Sequence, residues 1–170
     1  MYRYPLSRRS QIISDTGRER MVNVNNNDQT TKNILLEFAI KEMDFVTAGE
    51  ASSNIKHTLQ LIGFAPAIIR RVAIAAYEAE MNIVIHGKQG MIKALINPAQ
   101  IELTAKDLGP GIPDIDLAMQ EGYSTAPDHI REIGFGAGMG LPNIRNCADQ
   151  FSIESNVEQG TTLTVVIFNQ

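Results

Sequence analysis

The chain has 170 residues, 44% of them hydrophobic and 20% charged, with a formal net charge of −4. That suits one domain large enough to bury a core, and it leaves no basic excess for a general affinity to nucleic acid or anionic lipid. No stretch is apolar enough for a membrane span, the single Cys147 excludes an internal disulfide, and without an apolar leader the expected location is cytoplasmic.

Residues 1–32 set Arg3, Arg8, Arg9, Arg18, Arg20 and Lys32 against Asp15, Glu19 and Asp28 and end in a polar tract. They are expected to be a flexible polar extension to a domain formed by residues 33–170. From Asn33, Ile34, Leu36, Phe38 and Ile40 alternate with Leu35, Glu37, Ala39 and Lys41, which predicts a strand with one buried face. Asp44 is expected to cap a helix running to about Ile62, with Phe45, Ala48, Ala51, Ile55, Leu59 and Ile62 as its apolar stripe and Gly63 closing it. Pro66 opens a longer helix that reaches Ile85 or His86 and stops at Gly87.

Residues 91–96 and 100–106 read as strands around an Asn97-Pro98 turn. The polar segment 113–133, with a short helix near 114–120, reads as a mobile flap. A helix from Pro142 to about Gln150 precedes strands at 151–155 and 161–168 around Glu158-Gln159-Gly160. This order lacks the strict alternation of a doubly wound sheet. It predicts an α+β two-layer sandwich, a mixed and mostly antiparallel sheet covered on one face by helices.

Two glycine-rich stretches flank the flap. Asp107-Leu108-Gly109-Pro110-Gly111-Ile112 puts a carboxylate at a strand end just before a tight turn. Gly134-Phe135-Gly136-Ala137-Gly138-Met139-Gly140-Leu141 exposes main-chain N–H groups ahead of a helix N-terminus, a setting that favours an anion. No lysine stands in either stretch and no Walker sequence follows. On the long helix, Glu78, Asn82 and His86 recur every four residues among apolar neighbours, a polar stripe that requires a cavity or partners. Glu80 reads as an ordinary surface carboxylate, His86 as a cap on its own helix, and Cys147 as a small core residue. Neither His57 nor His129 belongs to a zinc pattern.

E-x-x-x-N on a long helix, D-x-G-x-G-I, G-x-G-x-G-L and a final Gly160-Thr161-Thr162 strand, in that order, resemble the GHKL (histidine-kinase-like) ATPase superfamily. Within it the chain is most similar to the small anti-sigma factor and switch-protein serine/threonine kinases, over roughly residues 33–168. The resemblance implies a GHKL fold binding ATP and Mg²⁺. By it, Glu78 is the catalytic carboxylate that takes a proton from a hydroxyl or water as general base, and Asn82 is the Mg²⁺ ligand. Asp107 receives the adenine amino group, with Gly109 and Gly111 close to the base and Thr162, beside Thr161, on the adenine side. Gly134, Gly136, Gly138 and Gly140, with Leu141, wrap the phosphates; since neither glycine stretch holds a lysine, Arg131 in the flap is the best candidate for a γ-phosphate contact. The function so implied is transfer of the γ-phosphoryl of Mg-ATP to a small regulatory partner, a STAS-type anti-sigma antagonist or related scaffold protein. The alternative is a nucleotide-dependent anti-sigma module that sequesters a sigma factor or another regulator without catalysis. Related small kinases are often dimers, so a homodimer enters as an expectation.

Overall fold

The computed structural model describes residues 18–20 and 33–170. Its strands are β1 (Arg18–Arg20), β2 (Ile34–Lys41), β3 (Gln89–Ile96), β4 (Gln100–Asp107), β5 (Gln150–Asn156) and β6 (Gly160–Phe168). Its helices are α1 (Glu50–Leu61), α2 (Pro66–His86), α3 (Ile115–Ala118), α4 (Asp128–Glu132) and α5 (Gly140–Cys147). The strands form one sheet in the order β1-β2-β3-β4-β6-β5, and α1, α2 and α5 pack on one face of it. This is the expected α+β two-layer architecture. Every pairing among the described residues is antiparallel, so the parallel component of the expected mixed sheet is not found there.

The alternation in β2 sends Leu36 and Phe38 toward the helices. Antiparallel register then aligns apolar rows across four strands: Phe38, Ile92, Ala105 and Leu163 in one, Leu36, Ala94, Leu103 and Val165 in the next. Onto these rows α2 lays Ile69, Val72, Ala75, Ala76, Ala79 and Ile83. Each fully buried aliphatic side chain contributes about 1.5–3 kcal/mol, so this contact between the layers dominates the stability of the fold.

Three local expectations change. The first helix begins at Glu50, six residues after Asp44, because the intervening turn is held from elsewhere. Asp44 accepts from the Thr47 amide at 3.3 Å, Met43 donates its amide to the Val84 carbonyl at 2.8 Å, and Gly49 at φ 95° reverses the chain into α1. Both carboxylate oxygens of Glu80 receive the start of that helix, accepting from the amides of Gly49 (2.9 Å), Ala51 (3.2 Å) and Ser52 (3.0 Å). Glu80 is 1% exposed, so it is a buried cap supplied by α2 to the N-terminus of α1 and not a surface carboxylate.

The last helix begins two residues before Pro142 and stops at Cys147, where the chain turns extended. Asp149 then accepts the Phe168 amide at 2.7 Å and pairs with Arg71 at 2.8 Å. Of the N-terminal extension, only Arg18–Arg20 lie within the described residues. They pair with Leu35–Glu37 as an edge strand, and three polar residues carry no alternation from which a strand could be read.

Candidate functional site

Between the C-terminal half of α2 and the sheet lies a cavity of about 570 Å³. The polar stripe of α2 forms one wall, since Glu78, Asn82 and His86 all line it. Ala105, Asp107, Ile153, Thr161 and Leu163 form the floor, and the two glycine stretches with Tyr123, Ser124 and Thr125 close the rest. The helical spacing and the strand-end placement of the first glycine motif therefore converge on one space.

Asp107 is fixed by its own turn, where Oδ1 accepts the Gly109 amide at 2.7 Å. That turn is closely backed by the β5–β6 hairpin. A Cβ on Gly160 would lie 2.1 Å from the Asp107 carbonyl, and one on Gly111 would lie 2.2 Å from the Asn156 carbonyl, so the β5–β6 hairpin presses directly on it. Ser155 completes the clamp by accepting the Ile112 amide at 2.7 Å and sharing a hydrogen bond with Thr161 at 2.8 Å. Gly109 is buried beneath the turn and does not reach the cavity wall, while Gly111 does.

The second stretch serves two purposes. Gly134 at φ 96° ends α4 in open space, whereas Gly136 and Gly138, also at positive φ, press on the 122–126 segment. A Cβ on Gly138 would come within 2.5 Å of Gly122 and Tyr123 main-chain atoms. From Gly136 to Gly140, no amide N–H finds an acceptor among the described residues. Five consecutive amides without a protein acceptor thus lie along the cavity wall, a feature compatible with holding an anion. Gly140 opens α5 against Asn82, whose Oδ1 would stand 2.9 Å from any added methyl. Leu141 lines the cavity next to it.

The charges along the wall point to one kind of counterion. Glu78, Asp107 and Asp114 contribute carboxylates, and among the described residues no lysine or arginine lines the cavity. No cluster of three or more His, Cys, Asp or Glu among the described residues would hold a metal ion on its own. A single neutral amide oxygen at Asn82 instead suits Mg²⁺, which keeps several waters and shares its ligands with phosphate.

Glu78 is only partly exposed, and its Oε1 accepts from Nδ2 of Asn143 on α5 at 2.8 Å. Asn143 escapes sequence reading because nothing in Leu141-Pro142-Asn143 shows which residue of α2 it will face. His86 sits in the last turn of α2, and its side chain also lines the cavity near Asp107. Burial pushes its imidazole below the ordinary value, and the Asp107 charge draws it partway back. Burial likewise raises the Cys147 thiol, which packs against the core as expected.

Two assignments move. Thr162 lies on the sheet face away from the cavity, because side chains alternate along β6; Thr161 and Leu163 face inward. Arg131 is paired with Asp128 at 2.6 Å on the exposed side of α4 and is absent from the wall. The 113–133 segment is more structured than expected, with Asp114 capping α3 and with Ala126 and Ile130 buried. Phe135 stacks on Phe45 of the β2–α1 turn at 5.4 Å, which takes Phe45 off the expected stripe of α1.

Comparison with known proteins gives a consistent picture. Residues 67–170 match the family described as histidine kinase-, DNA gyrase B-, and HSP90-like ATPase. The serine/threonine-protein kinase RsbT of Bacillus subtilis (strain 168) is 31% identical over 144 residues, 82% of this chain and 96% of that protein. The anti-sigma F factors of Geobacillus stearothermophilus and Heyndrickxia coagulans are each 36% identical, over 92 and 93 residues; the match spans 51% of this chain and 60% of each relative.

Proposed function

The chain belongs to the histidine kinase-, DNA gyrase B-, and HSP90-like ATPase family, and from that premise we propose how its cavity works as the ATP site of a switch-type serine/threonine protein kinase. Kinase activity itself accords with the near full-length similarity to a serine/threonine-protein kinase. The observation that carries the site assignment is the facing of Glu78 and Asn82 on α2 to the run of free amides from Gly136 to Gly140.

In this reading Asp107 accepts the exocyclic amino group of adenine with the carboxylate oxygen that Gly109 does not occupy. Being acceptor-only, it disfavours a base that presents a carbonyl at that place. The amides of Gly136, Ala137, Gly138, Met139 and Gly140 hold the phosphates, with the N-terminus of α5 behind them. Asn82 would hold Mg²⁺, which when bound supplies the positive charge the cavity wall lacks. Glu78 takes the proton from the acceptor hydroxyl as its oxygen bonds to the γ-phosphorus and the bond to ADP breaks.

The acceptor we propose is a serine or threonine of a small STAS-type regulatory protein. A partner of protein class is supported by the names of the relatives, a protein kinase and anti-sigma factors. No helix of the described residues is long and apolar enough to cross a membrane, and we propose that the kinase acts in the cytoplasm.

Glu78→Gln tests the assignment. Removing a placed base costs about 10²–10⁴-fold in rate. Single-turnover transfer from γ-labelled ATP to the partner recovered from native lysate should fall by that factor while calorimetric affinity for Mg-ATP stays the same. Undiminished transfer in this variant would remove Glu78 from the chemistry, and a stable complex with no transfer by the unaltered protein would favour sequestration.

A further inference from the structure

We propose that Asn143 is the positioning residue for the base, an inference that rests on the assignment of proton acceptance to Glu78. The bond from Asn143 Nδ2 to Glu78 Oε1 is 2.8 Å and partly buried, and it is the side-chain contact that ties this carboxylate to α5. It leaves the other oxygen of Glu78 for a substrate hydroxyl. A neutral donor suits the place, because it directs one oxygen without pairing away the charge that a base requires.

The surroundings make the contact rigid. Pro142 and Ile144, on either side of Asn143, are both buried, which anchors α5 in the core. The Asn143 amide donates to the Met139 carbonyl at 2.9 Å, which hangs the residue on the last part of the amide cradle. The first turn of α5 thus meets α2 twice, Gly140 against Asn82 and Asn143 against Glu78, matching two residues one helical turn apart. The segment that grips the phosphates also aims the base. A glutamate without this partner has three rotatable bonds, and a misplacement of about 1 Å at a reacting group can cost on the order of 10²-fold in rate.

The test is a double-mutant cycle with a spectroscopic arm. Asn143→Leu, of similar volume and unable to donate, should lower the single-turnover rate ten- to a hundredfold with Mg-ATP affinity unchanged, and should cost nothing further in a Glu78→Gln background. Asn143→Gln, which keeps the amide, should recover part of the rate. In NMR spectra of the full chain, the side-chain amide signals of Asn143 should shift in Glu78→Gln, a readout that needs no turnover. Equal losses from Asn143→Leu in both backgrounds, an unchanged rate, or an unmoved Asn143 signal would each overturn the proposal. If Glu78→Gln itself retains full activity, it is the assignment of the base that fails.

Discussion

Glu78 and Glu80 stand two positions apart on α2 and therefore about 200° apart around its axis, so one faces the cavity and the other faces α1. The placement of Glu78 on the cavity wall was legible because Asn82 is four residues away on the same face. That of Glu80 was not, since the amides it caps lie 28 to 31 residues upstream, and only packing brings them together. Glu80→Gln replaces one of two accepting oxygens with a donor facing other donors, and should lower unfolding free energy by about 3 kcal/mol. Chemical denaturation monitored by circular dichroism checks this; unchanged stability would deny the cap its importance. Asp107→Asn behaves differently. Its oxygen can keep the Gly109 hydrogen bond, which turns the new NH₂ toward the base. Affinity for a fluorescent ATP analogue should fall about tenfold or more, the loss expected for a hydrogen bond to a charged group, with the melting temperature little altered.

At the scale of elements, strands and long helices could be read because their periods of 2 and 3.6 are written locally, as in β2 and α2. The start of α1 could not, since a carboxylate on α2 sets it. The glycine loop was half legible: its alternation showed a bare backbone, but the need for Gly136 and Gly138 comes from contact with residues 122–126. The glycines of this loop should accordingly differ in tolerance. Gly134→Ala meets open space and bears only the strain of positive φ, roughly 1–2 kcal/mol. Gly138→Ala adds a collision with main-chain atoms at 2.5 Å, so the loop or the 122–126 segment must shift. Calorimetry should find Mg-ATP binding nearly intact in the first variant and severely weakened in the second.

For the molecule as a whole, the net charge is −4 and carboxylates line the cavity, so the proposed ATP site should depend on its cation. Chelating Mg²⁺ with EDTA should weaken ATP binding by at least tenfold, roughly the effect of losing one charge-assisted contact. Limited proteolysis reports the same event: cleavage between Pro113 and Ile133 should slow in Mg-ATP, since that segment contributes Ser124 and Thr125 to the wall. Equal cleavage with and without nucleotide would mean that the segment ignores the ligand.

The stack of Phe45 on Phe135 joins the turn after β2 to the loop proposed to cradle phosphate, with the rings 5.4 Å apart and inclined by 27°. The chain contains no tryptophan. An indole introduced at 135 would therefore be the sole such fluorophore in the protein, seated on the seam between a scaffold turn and the gripping loop. Its emission would follow nucleotide capture and release in real time, turning this aromatic contact into an optical gauge for the catalytic cycle.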